Sequence, residues 1–169
     1  MATHGLETLP TYIVSASARL AAPPDRVYAI IANYHTGHPS ILPKQFSDMK
    51  VERGGIGEGT VVTFKVTALG RTDSFRAEVS EPEPGRVLVE RNVAGLIGLT
   101  TFIVEPGATG RESNVTIHTE MPVRPGFVAA IERFVTVRVL RPMYAEELRL
   151  LEARAADPAR TGAPVTARA

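Results

Sequence analysis

The chain has 169 residues, of which 44% are apolar and 22% charged, a length and composition typical of one globular domain and unlike a disordered chain. Lysine and arginine total 19 against 18 aspartate and glutamate, so the net charge of +1 lacks the basic excess that nucleic-acid binders usually carry. Cysteine is absent, which excludes disulfides and thiolate chemistry. Without a membrane-length apolar run or a recognisable secretion signal, we expect a cytoplasmic protein that binds no nucleic acid.

The first elements are predicted to be one strand and two short helices. Residues 1–10 are polar and without periodicity, so we expect a loose lead-in, whereas residues 11–20 alternate as a strand does. The sequence at 22–25, Ala-Pro-Pro-Asp, favours the start of a helix, since proline is tolerated in the first turn and aspartate suits its positive end. Glycine and proline at 37–39 end that helix, and residues 40–44 predict a second short one.

The middle of the chain is predicted to be an antiparallel meander. Valine, threonine, phenylalanine and isoleucine recur there with period two, and glycine- or proline-containing turns interrupt them at regular intervals. The pattern predicts six strands, at 47–53, 59–69, 72–81, 86–94, 98–105 and 113–121.

A long amphipathic helix is predicted to follow. After Pro125 and Gly126 the apolar period changes to 3.6 for about 28 residues. Pro142 lies inside this pattern and should kink the helix near Arg138. Residues 154–169 lack an apolar stripe and are predicted to be a flexible tail, so the single domain is expected at 11–153. A curved seven-stranded sheet around one long helix leaves space between them, and we expect a small-molecule cavity there.

Motifs of caps, turns and core positions follow one another in a characteristic order. They are Ala22-Pro23-Pro24-Asp25-Arg26-Val27-Tyr28, Tyr34 with Pro39 and Leu42-Pro43, Gly57-Glu58-Gly59-Thr60, Glu78-Val79 with Glu81-Pro82 and Pro84-Gly85-Arg86-Val87-Leu88, Val104-Glu105-Pro106 with Gly110 and Asn114-Val115-Thr116, and Tyr144-Ala145-Glu146-Glu147-Leu148 with Leu151. Over residues 11–153 the chain resembles the START/polyketide-cyclase (SRPBCC) superfamily, in its polyketide cyclase/dehydrase-like branch. The resemblance implies an α+β helix-grip fold of order β-α-α-β6-α. It does not choose between ligand carriers and enzymes, because these motifs carry no chemistry.

Polar residues on the inward face of the sheet are the candidates for chemistry. Guided by the family pattern, Leu88, Glu90 and Asn92 face the cavity, where an apolar wall would make Glu90 a plausible acid or base. The alternative assignment turns Val87, Val89 and Arg91 inward and leaves Glu90 in solvent.

Other candidates have a structural alternative each. Asp73 is a second candidate acid or base. Its structural alternative is a carboxylate at the rim that pairs with Arg71 or Arg91. His38 is a third candidate and could line the cavity mouth. His35 and His38 lack a third ligand nearby, so no metal site is expected. Arg138 could reach the cavity or lie at the helix edge. The predicted ligand-binding set is Tyr34, Phe64, Phe75, Glu90, Asn92, Phe102, Phe134 and Arg138.

Two functions fit this pattern best. The first is binding of an apolar small molecule, such as a lipid, quinone or polyketide, in the cavity. The second is a cofactor-free polyketide aromatase/cyclase or dehydratase, a lyase-type enzyme that would use a cavity carboxylate as acid or base. A third hypothesis is an interaction with a protein partner or a homodimer, although the outward strand residues form no large apolar patch.

Overall fold

A computed structural model describes residues 10–95, 98–123 and 125–157, apart from the side chain of residue 128. It confirms the predicted α+β helix-grip fold. The second short helix is a single 3₁₀ turn, and the long helix extends to residue 156, beyond the predicted domain end at 153. The rest of the predicted tail and the lead-in up to residue 9 lie outside the described residues. The elements are β1 (Thr11–Leu20), α1 (Pro24–Ala32), the 3₁₀ turn (His38–Ser40), β2 (Phe46–Arg53), β3 (Val61–Ala68), β4 (Arg71–Glu83), β5 (Val87–Ala94), β6 (Leu99–Pro106), β7 (Ser113–Pro122) and α2 (Phe127–Ala156).

The seven strands form one antiparallel sheet in the order β1-β7-β6-β5-β4-β3-β2. Strands β2 to β7 are a meander, in which each strand pairs with the next along the chain. β1 pairs with β7, from Thr11 opposite Pro122 to Leu20 opposite Ser113. β1 and β2 are therefore the two edge strands, and the segment of α1 and the 3₁₀ turn connects one edge of the sheet to the other.

The core lies between one face of this sheet, α1 and the carboxyl-terminal half of α2. The buried residues of each strand alternate with more exposed ones, as the period-two pattern predicts. On α2 the buried residues follow helical spacing and are Met143, Tyr144, Glu147, Leu148, Leu151 and Ala155. The amino-terminal half of α2 differs, since Phe127, Ile131 and Phe134 are 82%, 49% and 67% exposed. The helix thus covers the sheet with only part of its apolar stripe.

The end of α1 is tied to the loop between β2 and β3. The backbone N–H of Tyr34 donates to the carbonyl of Gly55 at 2.8 Å, and the N–H of Gly57 donates to the carbonyl of Ala32 at 2.9 Å. Gly55 has a φ of +119°, and a Cβ placed there would lie 2.0 Å from Nε2 of His35, so only glycine permits this close approach. These contacts fix the backbone that carries Tyr34 and leads into the 3₁₀ turn.

Candidate functional site

A cavity lies between the concave face of the sheet and α2, and we call it the sheet–helix cavity. About 120 Å³ of it is open to the centre of a water-sized sphere, which is several times the space that one water needs. The expected space between sheet and helix is therefore present. Its lining residues are His38, Leu42, Phe46, Met49, Phe64, Val66, Phe75, Glu90, Asn92, Gly98, Thr100, Phe102, Thr119, Met121, Leu140, Met143, Tyr144 and Glu147.

Strands β2 to β4 supply an aromatic part of the wall. The rings of Phe64 and Phe75 are stacked with centroids 5.4 Å apart, and the ring of Phe46 lies 5.7 Å from that of Phe64. Phe64 and Phe75 are opposite each other in the β3–β4 register, so the pairing of the strands brings their rings together. This part of the wall can hold an apolar ligand by surface burial and ring contact.

Strand β5 turns Glu90 and Asn92 toward the cavity. Leu88 is fully buried, and Leu88 and Glu90 pair with Phe102 and Thr100 of β6, two further residues on the lining. The sequence left two assignments of this strand open, and the structure has the one that turns Leu88 inward. Glu90 is therefore a carboxylate on an otherwise largely apolar wall.

Glu90 is held by two rings from the segment that follows α1. The hydroxyl of Tyr34 donates a hydrogen bond to Oε1 of Glu90 at 2.5 Å, and Nε2 of His38 lies 3.5 Å from the same oxygen. The rings of Tyr34 and His38 are stacked, with centroids 4.5 Å apart and planes 12° from parallel. Burial first, and then the charge of Glu90, raises the pKa of the Tyr34 hydroxyl well above its usual value, so this hydroxyl remains a donor.

The backbone decides which nitrogen of His38 carries a proton. Nδ1 lies 2.8 Å from the carbonyl oxygen of Ile31, which can only accept, so Nδ1 donates and Nε2 faces Glu90. Nε2 of His38 and Oε1 of Glu90 thus bring an imidazole and a carboxyl group together on one wall of the cavity. Both are side chains of the kinds that act as general acids and bases.

Glu147 on α2 is a second carboxyl group of the cavity, and the sequence reasoning gave it no role. It is only 2% exposed, and its Oε1 has no hydrogen-bond partner among the described residues. Burial first, and then the nearby charge of Glu90, raises the pKa of Glu147 well above its usual value. The signal that could have found it is helical spacing, because Glu147 lies three residues after Tyr144 and four before Leu151.

The cavity wall also holds a hydrogen-bonded cluster of three hydroxyl groups, from Tyr144 and two threonines. The hydroxyls of Tyr144 and Thr119 are hydrogen-bonded, and that of Thr119 lies 2.8 Å from the hydroxyl of Thr100. Burial is the largest influence on the Tyr144 hydroxyl and raises its pKa to about 12. Tyr144 and Glu147 therefore present two hydrogen-bonding groups from neighbouring turns of one helix.

The structure brings most, but not all, of the predicted site residues together. Phe64, Phe75, Glu90, Asn92 and Phe102 line the cavity with His38. Tyr34 lies behind this lining, where it supports Glu90.

The remaining predicted residues lie elsewhere. Phe134 and Arg138 are exposed on α2 and lie outside the set that lines the cavity, to which this half of the helix contributes Leu140 instead. Asp73 is paired with Arg71 at 2.8 Å on the partly exposed β4, as its structural alternative predicted. Within the described ranges no cluster of three or more metal-binding side chains occurs.

Comparison with known proteins gives the family. Residues 11–156 match the sequence model of the family described as polyketide cyclase / dehydrase and lipid transport, and the chain belongs to that family. No sequence among curated proteins matches significantly. Within the part of the chain that the structure describes, no helix has the length and apolar character needed to cross a membrane.

Solved structures share the fold over most of the chain. KanY protein, solved by NMR, is 25% identical with a TM-score of 0.77, covering 88% of this chain and 100% of its own. The Zhui aromatase/cyclase from Streptomyces sp. R1128 is 15% identical with a TM-score of 0.72, covering 87% and 94%. A START superfamily protein from Mycobacterium smegmatis is 14% identical with a TM-score of 0.67, covering 85% and 97%. These likenesses support the helix-grip fold of the START and polyketide-cyclase proteins.

Proposed function

We propose that this protein binds an apolar small molecule, such as a lipid, quinone or polyketide-like compound, in the sheet–helix cavity. The observation that carries the proposal is the cavity itself, with an aromatic wall from Phe46, Phe64 and Phe75 and a small number of polar groups from β5 and α2. Concave, largely apolar sites with a few placed polar groups are typical of small-molecule sites. The description of the family, which names lipid transport, agrees with this proposal.

A matched pair of substitutions on β3 tests cavity binding. Val66 lines the cavity, whereas the next residue, Thr67, is exposed on the other side of the strand. We expect Val66→Phe to fill part of the cavity and to weaken binding of the neutral fluorescent probe N-phenylnaphthylamine at least about tenfold, while Thr67→Phe leaves it unchanged. Circular dichroism melts would establish that both variants fold. Equal probe affinity in a folded Val66→Phe variant and the wild type would overturn the proposal.

The proximity of His38 and Glu90 on the cavity wall favours a second candidate function, a cofactor-free cyclisation or dehydration. Glu90 would accept a proton from a carbon between two carbonyl groups, and that carbon would form a bond to a ketone carbon of the same chain. The new alkoxide would take a proton from the His38–Glu90 pair, and the two residues would then be back in their starting state. Loss of water would then remove one further C–H proton and protonate the departing hydroxyl. The aromatase/cyclase among the structural neighbours makes this chemistry a reasonable alternative.

This second candidate is tested with a linear poly-β-ketone thioester of N-acetylcysteamine. If it is right, the wild-type protein accelerates formation of the cyclised product, followed by liquid chromatography and mass spectrometry. Glu90→Gln keeps the side-chain shape but removes the base, and should lower the rate at least about a hundredfold. Its affinity for N-phenylnaphthylamine should stay near that of wild type. The absence of any acceleration by wild type, or an unchanged rate in Glu90→Gln, would reject the catalytic role and leave binding alone.

A further inference from the structure

We propose that Glu147 is a specificity-determining residue, whose neutral carboxyl group donates a hydrogen bond to an uncharged oxygen of the ligand, such as a ketone carbonyl, and so disfavours ligands with a carboxylate head group. This inference rests on the proposed binding function and adds a selection rule to it. It is carried by the position of Glu147 on the cavity lining, by the lack of a hydrogen-bond partner for its Oε1 among the described residues and by the charges of the other lining residues.

The first step is the unpartnered oxygen of a buried group. Glu147 is 2% exposed and belongs to the cavity lining, and its Oε1 has no hydrogen-bond partner among the described residues. A buried polar group without a partner costs about 1–3 kcal/mol, a cost that a ligand in the cavity can remove. The raised pKa of Glu147 agrees with a protonated carboxyl group, which carries one O–H donor.

The second step is the charge of the wall. The residues described as lining the cavity include two carboxyl groups, Glu90 and Glu147, and one imidazole, His38, but neither lysine nor arginine. An anionic head group would therefore enter beside carboxyl groups without a cation of its own, which is unfavourable in a site of low polarity.

The third step is the arrangement of the polar groups on α2. Tyr144 lies almost one turn before Glu147, and its hydroxyl is bonded to Thr119, so the two residues form one polar strip on the helix. The strands β2 to β4 supply the aromatic wall. A ligand that is apolar over most of its length and carries a neutral oxygen satisfies both parts of the lining.

Four probes of similar size and different polar groups test the rule. Hexylbenzene and hexanophenone differ only by a carbonyl in place of a methylene. The other two probes, phenylhexanoate and phenylhexylamine, carry a phenyl ring at one end of the chain and a carboxylate or an ammonium group at the other. Their affinities are measured by displacement of N-phenylnaphthylamine from the wild-type protein. We expect hexanophenone to bind about threefold to tenfold more tightly than hexylbenzene, the gain of one net hydrogen bond. Phenylhexanoate should bind at least about tenfold more weakly than hexanophenone.

Three variants assign the effect to Glu147. Glu147→Met should bring the ratio of hexanophenone to hexylbenzene affinity close to one, because the donor is lost at similar volume. Glu147→Gln should keep the ratio within about threefold of wild type, because the amide N–H also donates. The control is Glu146→Met, on the neighbouring residue that pairs with Arg149 at the surface, and it should leave the ratio unchanged. Retention of the full ratio in Glu147→Met would overturn the proposal.

A measurement on the wild type alone keeps the proposal testable if a variant fails to fold. The carbonyl stretch of bound, isotope-labelled hexanophenone should lie at lower frequency than in an alkane solvent, as a hydrogen-bonded carbonyl requires. An unshifted stretch, or tightest binding of phenylhexylamine, would overturn the assignment of Glu147 while leaving cavity binding intact. If none of the four probes binds, the proposed function itself fails.

Discussion

Nε2 of His38 lies 3.5 Å from Oε1 of Glu90, an oxygen that also accepts a hydrogen bond from the Tyr34 hydroxyl at 2.5 Å. Glu90 comes from β5, while the two rings come from the segment after α1, more than fifty residues earlier in the chain. The carboxylate is thereby oriented from behind by groups that do not depend on a bound ligand. Such preorganisation suits an acid–base group or a fixed polar contact for a ligand.

Removal of the Tyr34 hydroxyl should destabilise the protein. Tyr34→Phe keeps the ring stacked on His38 but leaves the partly buried Glu90 without its shortest hydrogen bond, so we expect the free energy of unfolding to fall by about 1–3 kcal/mol. Urea unfolding measures the change. Tyr12→Phe is the control, because the hydroxyl of Tyr12 donates only to the sulfur of Met121 at 3.4 Å, and its cost should stay below about 0.5 kcal/mol. Equal costs in the two variants would contradict the role assigned to Tyr34.

The buried carboxyl group of Glu147 should make stability depend on pH. Its pKa is raised above 4.5 on folding, so the folded state holds the proton more tightly than the unfolded state does. The contribution of Glu147 to stability is complete below about pH 4.5 and is lost as the pH rises through the raised value. The loss cannot exceed about 1.4 kcal/mol per pH unit for one proton.

Comparison with the Glu147→Gln variant isolates the contribution of Glu147 to the pH dependence of stability. Other titrating groups contribute equally to both proteins, so the difference in free energy of unfolding should shift in favour of the variant as the pH rises above 4.5. Urea unfolding of both proteins across that range measures it. A difference that is flat with pH, or of opposite slope, would show that the Glu147 pKa is not raised.

A side chain at Gly57 should disrupt the loop that precedes β3. Gly57 has a φ of +59°, and a Cβ there would lie 2.2 Å from a carboxylate oxygen of Glu81, which accepts hydrogen bonds from the Tyr28 hydroxyl and the Glu58 N–H. The backbone conformation alone costs about 1–2 kcal/mol for a non-glycine residue, and displacement of Glu81 should add about 1–3 kcal/mol.

Gly110→Ala is the matched control for Gly57→Ala. Gly110 has a similar φ of +68°, but a Cβ there meets no atom within 4 Å, so its variant carries the backbone cost alone. Thermal or urea unfolding should show that the Gly57→Ala variant is less stable than the Gly110→Ala variant. Equal stability of the two variants would show that the Glu81 contacts contribute nothing.

The exposed aromatic side chain of Phe134 on α2 should tolerate substitution. Phe134 is 67% exposed, so Phe134→Ala should change the free energy of unfolding by less than about 0.5 kcal/mol and leave N-phenylnaphthylamine affinity unchanged. Phe102 is 2% exposed and touches the ring of His38, so Phe102→Ala should cost about 3–5 kcal/mol. A large loss of stability or affinity in Phe134→Ala would contradict the exposed position of this side chain.

Much of the fold could be predicted because it depends on local periodicity. The alternation of apolar residues and the intervening turns gave the meander from β2 to β7, and the change of period at Gly126 gave α2. The Pro23-Pro24-Asp25 segment likewise predicted α1, since the chemistry of a helix start is contained in a few adjacent residues.

The tertiary structure decided what depended on contacts between distant segments. On β5 both faces begin with an apolar residue, so only pairing with β6 and contact with Tyr34 and His38 established that Glu90 faces inward.

For α2, the apolar period of 3.6 residues predicted one buried stripe along the whole length of the helix. Packing left Phe134 exposed and buried Glu147, an acidic residue of a type that is almost never fully buried in proteins. The sequence by itself thus determined the elements and the apolar lining, because these follow from near neighbours along the chain. The contact of His38 with Glu90 and the burial of Glu147 beside the cavity were decided only by folding, because each requires side chains brought together from separate elements.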